Sequence, residues 1–161
     1  MSDHDVSEFL DFCRNFDQAM LVTSSVRGLI ARPMMIADID SHGDFWFSTD
    51  VESGKVDEIY NNSDVCITMT NSSGNATVRG KASVVKDTLK IKKLWSETWR
   101  VWFPEGPSDP KLALIKVEAS EGEFWATGGI AGWSYLFAMA KSYVRGERPK
   151  EDVNVHGVVE L

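Results

Sequence analysis

Apolar positions follow two rhythms along the chain. Phe9, Leu10, Phe12, Cys13 and Phe16 recur at helical spacing and predict an amphipathic helix over residues 7–17, with Ser7 as its N-cap. From Ala19 onward the period shortens to alternation broken by turn residues, which predicts strands at 19–24, 29–39, 45–48, 65–71 and 76–85. Pro33 lies inside the second of these; having no N–H to donate, it marks an edge or a bulge. The clearest period of two puts Ala76, Val78, Gly80 and Ala82 on one face and Thr77, Arg79, Lys81 and Ser83 on the other. Segments 112–119 and 123–127 read as a last hairpin turning at Ser120-Glu121-Gly122. Helices are expected at 52–61, at 87–103 (stopped by Pro104) and at 133–144, before a β-prone tail at 153–159. Six or seven short antiparallel strands with helices only at the ends and crossovers predict a mainly β fold with flanking helices, closed into a barrel that hides its strand edges.

The size fits this picture: 161 residues, 43% hydrophobic and 25% charged, are expected to form one domain over residues 1–161. That domain comprises the N-terminal helix, a barrel over about 19–127, and a C-terminal helix and tail over 133–161. A net charge of −7 argues against general nucleic-acid binding, which needs a basic surface to displace counterions from phosphate. The longest apolar run, Tyr135 to Ala140, is far too short for a membrane span, and the acidic start lacks the pattern of a secretory signal. A soluble, cytoplasmic protein is expected, with no nucleic-acid or membrane partner. Cys13 and Cys66, far apart and each in an apolar segment, read as buried thiols of a reducing compartment rather than a disulfide.

Several kinds of chemistry leave no trace. His4, His42 and His156 are scattered without partners at ligand spacing, so no metal site is expected. Neither a Gly-x-Ser-x-Gly elbow nor a phosphate-binding glycine pattern occurs. What remains lies around the second and third strands. Arg32 precedes Pro33; Phe47-Ser48-Thr49-Asp50 ends the third strand with two hydroxyls; Ser53-Gly54-Lys55 opens a helix. Hydroxyls, a glycine, a lysine and a helix start make a small anion nest, which an arginine on the neighbouring strand completes. Alone, Ser-Gly-Lys reads as a helix start with a solvated lysine; the combination carries the nest.

The set has a likeness. Met20–Thr23, Arg32-Pro33-Met34, Gly43 to Thr49, Ser53-Gly54-Lys55, Val78 to Ala82 and Glu123-Phe124-Trp125, in that order, resemble the FMN-binding split barrels related to pyridoxamine 5′-phosphate oxidase, and within them the general stress protein branch. The resemblance implies a split β-barrel and a homodimer with flavin sites at the subunit interface. It implies FMN as cofactor, with FAD or another flavin as the alternative. By position, Arg32 and Lys55 would hold the phosphate with Ser53, Gly54 and Thr49 around it. Pro33, Met34 and Met35 would lie along the ring, and Ser48 beside the ribityl chain. Asn75 and Trp125 would be brought to the ring by the second subunit.

Two departures shape the functional expectation. The oxidases carry an arginine and a histidine beyond the tryptophan for their phosphorylated substrate, whereas Ala126 to Gly132 here contains no cation, so oxidation of pyridoxamine phosphate is not expected. Ala37 stands where the oxidases have a lysine at the flavin's polar edge. The expected function is an FMN-dependent oxidoreductase of unknown substrate and with no identifiable catalytic side chain. The alternative is a flavin-binding sensor or carrier without turnover; a haem in the same slot is disfavoured by the scarcity of histidine. Elsewhere, Ile91, Trp95, Trp99 and Trp102 predict one core-facing helical stripe, with Lys90, Lys92 and Lys93 solvated. Arg79 and Lys81 share the polar face of their strand and read as solvent-facing, with contact to the flavin or the partner subunit as the alternative. Leu136, Phe137, Ala140 and Val144 form one side of the last helix, where they would cover the barrel or a neighbour.

Overall fold

The computed structural model describes residues 3–126 and 155–161. An eight-stranded antiparallel sheet curls around one core, in the order β2-β1-β5-β6-β7-β4-β3, with β8 also paired to β7. The strands are β1 Gln18–Ser25, β2 Gly28–Met35, β3 Asp38–Ile39, β4 Phe45–Asp50, β5 Asp64–Asn71, β6 Gly74–Val85, β7 Leu112–Ala126 and β8 Val155–Glu160. The barrel is split. β2 and β4 touch without pairing along their length, and Ala37 N–H donating to the Trp46 carbonyl (2.8 Å) ties the chain after β2 to β4. As a sheet-edge strand, β2 can hold Pro33 opposite Met20.

The core follows the alternation. Ala19, Leu21, Phe45, Phe47, Ile67, Met69, Ala76, Val78, Ile115 and Val117 point inward and are buried. Helix α1 (Asp3–Cys13) covers them with Phe9, Leu10 and Cys13, and Phe16 follows from the turn beyond it. The helix therefore starts and ends earlier than its apolar spacing suggested, and Ser7 lies within it rather than capping it. Gly122 is the floor on which Phe9 rests: a Cβ there would run into the Phe9 ring. Burial pushes the Cys13 thiol up to about 12, despite the opposing charge of Arg14. Cys66 is only half-buried, and both thiols are free.

Three expectations need correction. The predicted second strand divides into β2 and β3, because the chain leaves the β1 ladder after Met35 to reach β4. The predicted last hairpin is one continuous strand, β7. Its turn-like residues instead supply a bulge: Arg79 pairs with Glu121 and Gly80 with Ala119, so Ser120 is the extra residue, and its hydroxyl donates to the Arg79 carbonyl (3.1 Å). The predicted helix over 87–103 breaks. Helix α3 (Thr88–Leu94), capped by the Asp87 carboxylate, ends at an extended Trp95, and Ser96 starts a short 3-10 turn over Glu97–Val101. The break turns Ile91 and Trp99 into a second apolar cluster with Trp46, Phe103, Leu112 and Leu114, and leaves Trp102 exposed.

Lys90 is also not a solvated bystander. It sits over the Trp46 ring (4.3 Å from the ring centre) and pairs with Asp38 (3.5 Å) and Asp40 (3.9 Å). Lys92 and Lys93 are exposed as expected. Arg79 and Lys81 are exposed and pair with Glu121 and Asp64. The predicted helix at 133–144 lies outside the described residues. The β-prone tail is found as β8, paired antiparallel with the end of β7 from Glu121 to Ala126. Among the described residues no helix is long and apolar enough to cross a membrane.

Candidate functional site

Alternation carries a few polar residues onto the barrel's inner surface at one end. Thr23 continues the inward row of Ala19 and Leu21 on β1 and is fully buried, and Thr49 continues Phe45 and Phe47 on β4. Arg32 belongs to the half-buried row of β2, with Ile30 and Met34. Helix α2 (Gly54–Asn61) packs on β1 and β6, burying Val56 and Ile59. Its first turn brings Lys55 to this end of the barrel, and Glu58, three residues on, shares that helix face.

Two hydrogen-bonded chains result. Lys55 Nζ donates to Ser53 Oγ (3.1 Å), which shares a hydrogen bond with Thr49 Oγ1 (3.2 Å). Arg32 Nη1 donates to Thr23 Oγ1 (2.7 Å), Arg32 Nη2 donates to Glu58 Oε2 (2.7 Å), and the Thr23 hydroxyl donates to that same oxygen. The chains meet electrostatically. Burial and then the Arg32 guanidinium push the Lys55 ammonium below its ordinary pKa, only partly opposed by Asp50 and Glu58. Burial works to raise Glu58, but hydrogen bonds from Thr23 and Arg32, with the charges of Arg32 and Lys55, outweigh it and hold the carboxyl below the usual range. Ser53 precedes α2 without a side-chain cap bond, so its hydroxyl is committed to Thr49 and Lys55.

Arg32, Thr49, Ser53 and Lys55 are thus brought together, with Gly54 as the first residue of α2. The other expected site residues lie elsewhere. Pro33 and Met35 are on the outer face of β2, and Met35 is 52% exposed. Met34 turns the opposite way and packs against the main core, so its side chain does not share the outer surface with its neighbours. Ser48 faces away from Thr49 on β4, half-buried. Asn75 and Trp125 sit opposite each other across β6 and β7, and Thr70 Oγ1 donates to Asn75 Oδ1 (2.9 Å). The register sets Thr23 level with Gly80, five residues along β6 from Asn75, which is about 16 Å. Within one chain, then, Asn75 and Trp125 stand apart from the cationic nest.

The sequence reading missed Thr23 and Glu58. Their signals were present: Thr23 extends the inward period-two row, and Glu58 lies three residues after Lys55 on one helix face. The outer surface of β1 and β2 is the other notable feature. Met20, Leu29, Ala31, Pro33 and Met35 form an exposed, uncharged apolar face behind the nest.

Comparisons with known proteins agree with this architecture. Protein bli-3 of Neurospora crassa is 30% identical over 129 residues, covering 72% of this chain and 62% of that protein, so the chain spans somewhat under two thirds of this relative. A candidate general stress protein 26 from Jannaschia sp. CCS1 superposes with a TM-score of 0.76 at 22% identity, over 99% of this chain and 100% of that one. A general stress FMN/FAD binding protein from Xanthomonas citri gives a TM-score of 0.68 at 22% identity, over 80% of this chain and 92% of that one. These two share the fold. The family model described as pyridoxamine 5′-phosphate oxidase like matches residues 4–150, and the chain belongs to that family.

Proposed function

We propose that the protein binds FMN, with its phosphate in the Arg32–Lys55 nest, and that two copies close the ring site between them as an FMN-dependent oxidoreductase. The observation that carries this reading is the state of Lys55. It is a half-buried ammonium whose charge is opposed by Arg32 and whose one hydrogen-bond acceptor among the described residues is the Ser53 hydroxyl. A phosphate would supply the ion-pair partner that Lys55 lacks among the described residues. The residues present therefore fit the tail of a flavin: Arg32 and Lys55 as cations, Ser53 and Thr49 as hydroxyls, and the first residues of α2 around them.

The exposed face of Met20, Leu29, Ala31, Pro33 and Met35 suits both a flat ring and a second copy of the chain. A homodimer would also bring the partner subunit's Asn75 and Trp125 to a site that lacks them within one chain. A bound flavin supplies hydride and electron transfer. The protein's share is to fix the tail, shield the ring from water and orient what meets it. The free, partly or fully buried cysteines fit a reducing compartment, and we place the protein in the cytoplasm.

One observation favours the second reading, a flavin-binding stress-related sensor or carrier without turnover. The outer faces of β1 and β2 carry no titratable side chain, so this surface offers no proton donor or acceptor to a substrate. Two measurements test these readings. Protein purified from cells should carry a yellow chromophore that, once released, is FMN; colourless protein whose melting temperature is unmoved by added FMN contradicts flavin binding. Repeated reduction by NADH or NADPH and reoxidation by oxygen supports the oxidoreductase, and absence of turnover with flavin bound supports the carrier.

A further inference from the structure

We propose that Glu58 is the positioning residue of the nest: it holds the Arg32 guanidinium in the orientation that recognises phosphate, and so sets the protein's preference for a phosphorylated flavin over an unphosphorylated one. The inference rests on the reading of the nest as a flavin-phosphate site. Its ground is the closed ring of three side chains, in which Arg32 Nη1 donates to Thr23 Oγ1, Thr23 Oγ1 donates to Glu58 Oε2, and Arg32 Nη2 donates to that same oxygen. The ring is sheltered: the Arg32 and Glu58 side chains are 20% and 16% exposed, and Thr23 is buried.

On charge alone, Glu58 is out of place. A carboxylate among the groups meant to hold an anion repels it, and this carboxyl stays ionised to lower pH than an ordinary glutamate. The geometry gives it a purpose. An arginine has five N–H donors in a rigid planar fork, and two of them are spent on the ring. The other three have no partner among the described residues, so the fork is gripped at one side and free to bind at the other. A guanidinium already fixed loses less conformational freedom when an anion arrives. Thr23 adds directionality: its hydroxyl accepts from arginine and donates to glutamate, so the ring closes in one orientation of the fork.

The two effects of Glu58, tethering and repulsion, separate by substitution. Glu58→Gln keeps an oxygen that accepts from Arg32 and Thr23 but removes the charge. Glu58→Ala removes both. The experiment titrates FMN and riboflavin against the wild type and both variants at neutral pH, alongside melting temperatures. The expected result is that Glu58→Ala lowers the FMN-over-riboflavin preference about tenfold, the scale of one charge-assisted hydrogen bond, with riboflavin affinity unchanged. Glu58→Gln should retain or raise the preference, a rescue that a purely electrostatic role would not produce. If Glu58→Ala does not fold, Thr23→Val opens the same ring with little change of volume and should lower the preference too.

Preference that survives Glu58→Ala or Thr23→Val, or that falls equally in Glu58→Ala and Glu58→Gln, overturns the positioning role while leaving the site reading intact. A wild type without any preference for FMN over riboflavin overturns the site reading and this inference with it.

Discussion

Two parts of this barrel gather half-buried charge, and a lysine in each, Lys116 and Lys55, responds in the opposite sense to the other. Around Trp46 the ring N–H donates to Asp40 (2.8 Å), while Lys90 and Lys116 approach its faces (4.3 and 5.9 Å). Each lysine there has carboxylates: Asp38 and Asp40 for Lys90, Asp44 (3.0 Å) and Glu118 (2.8 Å) for Lys116. Hydrogen bonds to Glu118 and Asp44 lift Lys116 above its ordinary pKa. At the other end of the barrel, burial and Arg32 push Lys55 down, and its contact is a serine hydroxyl. The first cluster is complete: its charges close on one another and clamp the β3–β4 hairpin and α3 around a tryptophan. In the second, Arg32 is paired with Glu58 but Lys55 has no carboxylate at ion-pair distance among the described residues, the feature that sets the proposed phosphate site apart from a structural ion-pair network.

That contrast can be broken in several places. The largest effect belongs to the closed cluster. Trp46→Ala empties the centre of the second apolar group and should cost about 3–5 kcal/mol of stability in a denaturant titration, by analogy with other aromatic truncations. A loss below about 1 kcal/mol would mean that the cluster is ornamental. At the open nest, Lys55→Ala should weaken FMN binding by about 1.5–3 kcal/mol. Arg32→Ala should do the same and also lower the melting temperature, because it strands the Glu58 carboxylate without its ion pair.

Smaller effects sharpen the difference. Replacing each lysine by methionine keeps the stem and removes the charge. Lys116→Met should lower stability by up to about 1 kcal/mol, as for a partly exposed ion pair, whereas Lys55→Met should leave it unchanged or raise it. Equal losses would erase the distinction. The pH dependence has a definite sign in each case. A lysine lowered in the folded state disfavours folding while it is charged, so Lys55 costs stability that is recovered as pH rises through its depressed value, below 10.5. A bound anion needs Lys55 protonated, so FMN affinity should fall over that same alkaline range while riboflavin affinity stays level. Glu58, lowered in the folded state, contributes stability that is present above its ordinary 4.5 and is lost as pH falls through the depressed value.

The strands were legible because one face of each is buried and alternation is a strong signal; β6 shows the inward and outward rows read from its residues. What misled was turn chemistry used for other ends. Ser120-Glu121-Gly122 has the composition of a hairpin loop but serves as a bulge opposite Gly80, whose own Cβ would collide with the Glu118 carbonyl. The broken helix before Pro104 was hidden because helical spacing from Ile91 to Trp102 fits one axis on paper, while a buried Trp99 and an exposed Trp102 require two.

At the nest, residue types and order pointed to the grouping of Arg32, Thr49, Ser53 and Lys55, since the last three are close in sequence and β2, which carries Arg32, touches β4 across the split of the barrel. Glu58 was invisible because carboxylates are common on helix surfaces, and only its meeting with Arg32, 26 residues away, sets it apart. That the Met34 side chain turns inward while Pro33 and Met35 face outward was not read, because a motif taken as a string ignores the strand's pleat. Lys90 was misjudged because its partners come from β3 and the turn after it, which no local pattern connects to α3.

Lys55, whose hydrogen bond goes to a serine hydroxyl and not to a carboxylate, either serves a phosphate or serves the fold alone. The most direct measurement is the ratio of FMN to riboflavin affinity, by fluorescence titration, in the wild type and in Lys55→Ala. A phosphate site at Lys55 should give clear preference for FMN in the wild type and a preference at least tenfold smaller in the variant, with riboflavin binding unaltered. Equal affinity for the two flavins in the wild type, or a preference that survives loss of the ammonium, would contradict it.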